Sequence, residues 1–380
     1  MLNNWQACKN ILCIRPDNMG DLVMTGPALR ALKEAFGAKI TVLTSSIAAG
    51  IAPFMPEIDE VMEYDLPWVK TGSVIDPLVF NNVIAQLKER QFDAAVIFTV
   101  YSQNPLPAVM LAYLAGIPNR LAYCRENPYQ LLTHWVPDKE PYSEIKHQVQ
   151  RDLDLVKTIG ATTHHHDLYL QVNPALWNAA EDKLTALGFD PGKKWLILHA
   201  GVSEVKRSYS KANWIKAAKQ LINYNGYQVV LTGSASEKQL TDELEWQIGA
   251  GAFSTGGLFR LEELIALINR ATIMVTVNTG TTHIAAAVKT PVVVLYALTN
   301  PQHTPWQSSC MVLPYQVPGN LHSKNEVINY VNQFFYSGLM DYPGAVAIVD
   351  SVIELSDNPA AFNNQQLCII KLMEQVIGTI

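Results

Sequence analysis

Nowhere in its 380 residues does the chain run to about 20 consecutive apolar positions, the length a helix needs to span a bilayer. Any meeting with a membrane is therefore expected to be peripheral. The opening segment MLNNWQACKN has no apolar core followed by a small-residue cleavage site, so no signal peptide is expected and the expected location is cytoplasmic. Cysteine is scarce as well. Cys8, Cys13, Cys124, Cys310 and Cys368 are odd in number and scattered, without the close spacing of a metal site or the pairing of a disulfide scaffold. Charge is sparse at 16% of residues, and its balance is -6, which argues against general binding of nucleic acid through its phosphates. There is no low-complexity tract and no short-period repeat. The dinucleotide fingerprint G-x-G-x-x-G is also missing, which argues against a nicotinamide enzyme.

What the chain does have is apolar residues, 49% of the total, and enough length for two domains that each bury a core. Short apolar runs alternate with longer amphipathic stretches, the pattern of βαβ units stacked around parallel sheets. Strands are expected at 11–15, 39–45, 61–65, 93–98 and 120–124, and again at 195–201, 227–233, 272–277 and 291–297. Helices fall between them. One near 144–160 puts Val149, Leu153, Val156 and Ile159 on one face. The polar stretch THHHDLYLQVNP (163–174) is the expected linker, giving domains at 1–170 and 171–380, with the last helix, 365–380, expected to pack back on the first domain. The expected fold class is α/β, two Rossmann-like doubly wound domains facing each other across a cleft.

Three segments could carry chemistry. In RPDNMGDLVMTGPALRAL (15–32), Asn18 and Gly20 lie in the turn after the first strand, where Gly20 would permit a tight bend. Asp21 either caps the following helix or stands as a carboxylate at the carboxyl end of a parallel strand, where open α/β sheets hold ligands. Pro27 is expected to kink that helix or move its start to about Thr25. In HAGVSEVKRSYSKANW (199–214), Gly201 and Ser203 let backbone approach a ligand, and Lys206 either meets a phosphate or is an ordinary surface lysine. In VNTGTTHIAAAV (277–288), a strand enters Asn278, Thr279, Gly280 and Thr281 and then a small-residue helix, which offers free backbone N–H groups to an anion. His283 is open between a ligand contact and a core histidine. Glu237 could accept from sugar hydroxyls or merely suit a first helical turn. The consecutive His164, His165 and His166 cannot easily face one metal ion and read as linker.

These blocks, in this order, resemble glycosyltransferase family 9, whose best-known members are the ADP-heptose transferases of lipopolysaccharide core assembly. The likeness begins with ILCIRPDNMGDLVMTGPALRALKEAF, continues through HAGVSEVKRSYSKANW and LTGSASE, and ends in LEELIALINRATIMVTVNTGTTHIAAAVKTPVVVLYALTNPQHTPW. It implies the two-domain GT-B fold, with acceptor on the first domain and nucleotide-sugar donor on the second. It further implies inverting transfer without metal or other cofactor, to a hydroxyl of a glycan or glycolipid. By resemblance Asp21 is the base, Lys206 meets the donor diphosphate, Glu237 the ribose and Phe259 the base pocket. Thr279, Gly280, Thr281 and His283 form the diphosphate turn. The chain departs at Asn278, where the family usually carries Asp. Domain closure would shield the donor from water. Two other readings remain open, a GT-B-type nucleotide-sugar epimerase, which needs no acceptor, and a non-catalytic nucleotide-sugar binding protein.

Overall fold

The computed structural model describes residues 4–69, 76–336 and 342–362. The chain divides into two compact units, Met1–Tyr169 and Leu170–Ile380. The first holds six strands: β1 (Asn10–Ile14), β2 (Lys39–Thr44), β3 (Glu60–Glu63), β4 (Ala94–Ile97), β5 (Asn119–Cys124) and β6 (His134–Pro137). They lie in the order β3-β2-β1-β4-β5-β6 and every pairing is parallel. The second unit repeats the plan with β7 (Trp195–His199), β8 (Gln228–Leu231), β9 (Ala252–Ser254), β10 (Met274–Val277), β11 (Val292–Ala297) and β12 (Cys310–Tyr315). Their order is β12-β11-β10-β7-β8-β9, again all parallel. Each unit is thus a doubly wound Rossmann-like sheet, and the expectation of two such α/β domains is borne out. Chain order reverses between β1 and β4 and between β7 and β10, the places where such sheets hold ligands beyond the strands' carboxyl ends.

The central strands form because both their faces are covered. Ile11, Leu12 and Ile14 of β1 and Val292, Val293 and Val294 of β11 have no exposed surface at all. Three strands escape the sequence reading: β6, β9 and β12. All lie at sheet edges, where one flank is solvated and the apolar signal is short or interrupted, by Pro314 in β12 and by a length of three residues in β9.

For Pro27, the alternative of a helix start moved to about Thr25 needs correction. The helix starts at Met19 and runs to Phe36 with Pro27 inside it. A proline in a helix interior costs about 3 kcal/mol or more. Leu22, Val23, Met24, Leu29, Leu32 and Phe36 are each no more than 2% exposed, and at roughly 1.5–3 kcal/mol per buried side chain their packing outweighs that loss. Gly20 also moves: it is the second residue of the helix, fully packed, and the bend lies ahead of it at 15–18. The terminal helix expected at 365–380 lies outside the described residues. Among the described residues, no helix is long and apolar enough to cross a membrane.

Candidate active site

In the first unit, the chain leaves β1 through Arg15 and enters the Met19–Phe36 helix at its N-cap, Asn18. Asp21 is therefore the third helical residue rather than the cap, and its Oδ2 accepts the Asn18 backbone N–H at 3.2 Å. Its Oδ1 accepts from Arg15 Nη2 at 3.1 Å. Asp21 keeps 8% of its surface exposed, whereas Arg15 is wholly buried. The same guanidinium pairs with Asp17, Nε to Oδ2 at 3.1 Å. Asp152, from the helix Gln148–Lys157, reaches the same helix by accepting from Thr25 Oγ1 at 2.9 Å. Burial raises Asp17 to about 6 against the pull of Arg15, and raises Asp152 to about 6 in the same way. Burial would lower Arg15, but Asp17, Asp152 and Asp21 together keep it above its ordinary value. The result is a carboxylate at the end of the central strand, gripped on one side by a permanent cation. Asn18 is exposed beside it.

In the second unit, the loops after β7, β8 and β10 emerge from neighbouring strands. Gly201 follows β7 and leaves room for the Glu237 carboxylate: a Cβ there would stand 2.1 Å from Glu237 Oε1, so the Glu237 side chain would have to move. Glu237 closes the short 3-10 turn Ala235–Glu237 after β8, its Oε2 accepting from Ser234 N at 2.7 Å and Ser234 Oγ at 2.9 Å. Buried His199, whose Nδ1 meets Thr232 Oγ1 at 3.0 Å, is lowered by burial against the pull of Glu237. Lys206 is partly exposed with its Nζ 3.1 Å from Glu204 Oε2, and Ser203 is exposed nearby. Arg207, the next residue, donates to the Asn278 carbonyl at 3.1 Å, fastening the β7 loop to the β10 turn.

That turn leads into the helix Gly280–Ala287, with Thr279 at its N-cap. Thr279 and Thr281 hydroxyls lie 2.9 Å apart, and Thr282 Oγ1 donates to the Val277 carbonyl at 3.0 Å. The first helical N–H groups point out of such a turn without helical acceptors. His283 is 5% exposed, its ring 6.3 Å from that of His303. Asn278 is spent within the fold: its Oδ1 accepts Ala297 N–H and its Nδ2 donates to Ala297 O, both at 3.1 Å. Its second amide proton points at Thr299 Oγ1, 3.3 Å away. Phe259 stands apart in the contacts it makes, its ring taking the Lys183 ammonium at 5.7 Å.

The family model for glycosyltransferase family 9 (heptosyltransferase) matches residues 81–326, more than half of the chain. The chain belongs to glycosyltransferase family 9. It is 28% identical to lipooligosaccharide heptosyltransferase 2 of Haemophilus influenzae over 82% of this chain and 90% of that one. It is 27% identical to lipopolysaccharide heptosyltransferase 2 of Escherichia coli over 78% of this chain and 84% of the relative. Among solved structures, E. coli ADP-heptose lps heptosyltransferase II superposes with a TM-score of 0.69 at 22% identity, covering 92% of this chain and 99% of that one. A family 9 glycosyltransferase from Veillonella parvula gives the same score at 17% identity, covering 98% of both chains. The resemblance drawn from the motifs is thus borne out, and the protein is a glycosyltransferase of the GT-B fold.

For a family 9 enzyme, the informative additions are Arg15, Asp17 and Asp152, which sequence reasoning passed over, and the contact of Arg207, expected only as positive charge near the 199–214 loop, with the Asn278 carbonyl. Asp152 left a trace: it shares the buried face of its helix with Val149 and Val156, and a carboxylate on an apolar face calls for a partner. It is also half of the chain's D-x-D triplet, Asp152-Leu153-Asp154. The two side chains part, Asp152 to Thr25 and Gln148, Asp154 to Lys146 and Gln150. Among the described residues, no group of three or more His, Cys, Asp or Glu is arranged to hold a metal ion. The described cysteines, Cys8, Cys13, Cys124 and Cys310, are free and buried. The three consecutive histidines do not converge: the His165 carbonyl accepts from Arg30, while His166 Nε2 lies 2.9 Å from the Thr163 carbonyl.

Proposed function

We propose that this enzyme transfers heptose from ADP-heptose to a hydroxyl of a lipopolysaccharide-core acceptor, with inversion, without a metal ion, at the cytoplasmic face of the membrane. One observation carries this reading. The Lys206 loop and the Asn278–His283 turn are tied together by Arg207, so a lysine and a helix N-terminus stand at the carboxyl ends of two neighbouring central strands. A diphosphate suits that combination, since amide dipoles and a cation both stabilise the charge it gains on leaving.

In the proposed reaction the acceptor oxygen bonds to the anomeric carbon as the bond from that carbon to the diphosphate oxygen breaks. Asp21 takes the hydroxyl proton during attack, and Arg15 holds the carboxylate in place. The electron pair of the broken bond goes to the diphosphate, where Lys206 and the Gly280 and Thr281 amides stabilise the charge. Glu237, held by Ser234 over Gly201, accepts from the donor ribose, and Phe259 lies against the adenine. Asn278 serves by fixing the ends of β10 and β11 rather than by touching the donor.

A thermal-shift comparison tests the donor. ADP and ADP-heptose at about a hundred times their dissociation constants should stabilise the protein by about 2.7 kcal/mol, while UDP and UDP-glucose at the same concentrations do not. A shift with the uridine compounds alone, or with none, would contradict the assignment.

A further inference from the structure

The Arg15 guanidinium serves two carboxylates, of which the proposed reaction uses only Asp21. Its Nη2 meets Asp21 Oδ1 and its Nε meets Asp17 Oδ2, both at 3.1 Å. The three side chains are nearly enclosed: Arg15 shows no side-chain surface, Asp17 7% and Asp21 10%. The Asp21 contact is a hydrogen bond, whereas the Asp17 contact lacks hydrogen-bond alignment and is one of charge. Asp17 is fixed from elsewhere, its Oδ1 accepting from Gln103 Nε2 and its carbonyl from Ser45 Oγ at 2.6 Å. Gln103 is held in turn by the Val100 N–H at 3.0 Å. Asp17 thus stands beside the guanidinium on supports of its own, and what it gives to Arg15 is charge.

Among the described residues, the charged groups that face Asp17 are Arg15 and Asp21, while Arg15 faces Asp17, Asp152 and Asp21. Asp152 is set apart by a second cation, Arg151, and by its hydrogen bonds from Thr25 and Gln148. Asp17 feels Asp21 directly. A carboxylate beside an uncompensated guanidinium gives up its proton readily and is correspondingly reluctant to take one. An ionised Asp17 offsets the Arg15 charge and repels that of Asp21, and both effects strengthen Asp21 as a base. In a nearly enclosed site such couplings are larger than in water. A protonated Asp17 leaves the cation to Asp21 and weakens it. Burial raises Asp17 to about 6, so this change of state is centred near that pH.

We propose that Asp17 is a positioning residue for the transfer: through the shared Arg15 it sets the strength of Asp21 as a base, and the reaction is fastest with Asp17 ionised. The proposal rests on the reading of Asp21 as the base.

Single-turnover transfer from ADP-heptose to a lipopolysaccharide-core acceptor is measured between about pH 5 and about pH 8 on the unaltered chain, Asp17→Asn and Asp17→Glu. The unaltered rate should rise through about pH 6 to a plateau. Asp17→Asn should lose that rise, run about three- to tenfold slower on the plateau, and meet the unaltered rate at the acid end. Asp17→Glu, which keeps the charge, should restore most of the rate and the rise. The KM for ADP-heptose and the thermal shift given by ADP should stay as they are, because the substitution acts on a proton transfer and not on binding. Asp152 remains in Asp17→Asn, so a rise owed to Asp152 would survive there. A flat profile in the unaltered chain, a rise that survives in Asp17→Asn, an equal plateau, or a loss confined to KM would overturn the proposal. Should Asp17→Asn not fold, Asp17→Ser, which also removes the charge, is read in its place. The base reading itself fails on a different result, near-normal transfer by Asp21→Asn.

Discussion

Replacing Asn278 by Asp should destabilise the second unit, because the amide is matched to a backbone that offers both an N–H and a carbonyl. Asn278 is 7% exposed and pairs with Ala297 in both directions. A carboxylate could still accept the Ala297 N–H, and Thr299 Oγ1 could turn its proton toward the new oxygen. The Ala297 carbonyl has no such remedy, since it would lose its donor and face a buried negative charge. One lost hydrogen bond costs about 0.5–1.5 kcal/mol and the stranded carbonyl about 1–3 kcal/mol, so Asn278→Asp should cost about 1.5–4.5 kcal/mol near pH 7. A protonated carboxyl can donate to Ala297, which raises the folded-state pKa of the new group. The penalty should then be small below the unfolded pKa and grow as pH rises through the folded one. Urea unfolding of both proteins at pH 4.5 and pH 7.5 reads this directly. Equal stability at pH 7.5, or a penalty that shrinks with rising pH, would refute the pairing argument.

Other substitutions probe the remaining parts. Burial raises Asp17 to about 6, so its folded state holds the proton more tightly than the unfolded chain does. That contribution favours the fold below about pH 4 and is lost as pH rises through about 6, so Asp17→Asn should gain about 1–3 kcal/mol relative to the unaltered protein between pH 4.5 and 7.5. Denaturant titrations at the two pH values would detect an opposite trend. Lys206→Ala should weaken ADP binding by about 1.5–3 kcal/mol, the worth of a charge-assisted hydrogen bond, as measured by calorimetry; an unchanged affinity would remove Lys206 from the diphosphate site. Gly201→Ala drives a methyl group into the Glu237 carboxylate, which can swing away. The melting temperature should move little while affinity for ADP falls, and the reverse pattern would place Glu237 outside the donor site. Transfer measured with excess EDTA should match transfer without it, and a loss restored by magnesium would end the metal-independent mechanism.

The fold was legible wherever burial leaves a continuous apolar run, as in ILCI before Arg15 or VVVLYA after Pro291. It was illegible at three of the four edge strands, β6, β9 and β12, where the apolar run is short or interrupted. The Met19–Phe36 helix misled in the other direction, since the local penalty of Pro27 is visible in sequence and the packing that overrides it is tertiary. At the candidate site, residue type and order pointed to Asp21, Lys206 and Asn278. What each one touches depends on partners far away in the chain. Asp152 lies 127 residues from Thr25, and Arg207 lies 71 residues from the Asn278 carbonyl that it holds. No local pattern announces those pairings. The resemblance supplied a family, while the contacts add that Asn278 braces the end of β10 against Ala297 of β11.

The most direct test of the account is the turnover of Asp21→Asn with ADP-heptose and a lipopolysaccharide-core acceptor, measured as ADP released alongside glycosylated product. Loss of a general base costs about 10²–10⁴-fold in rate. The account predicts a fall of that size in transfer, with ADP binding and melting temperature close to those of the unaltered enzyme. Near-normal transfer by Asp21→Asn would contradict it.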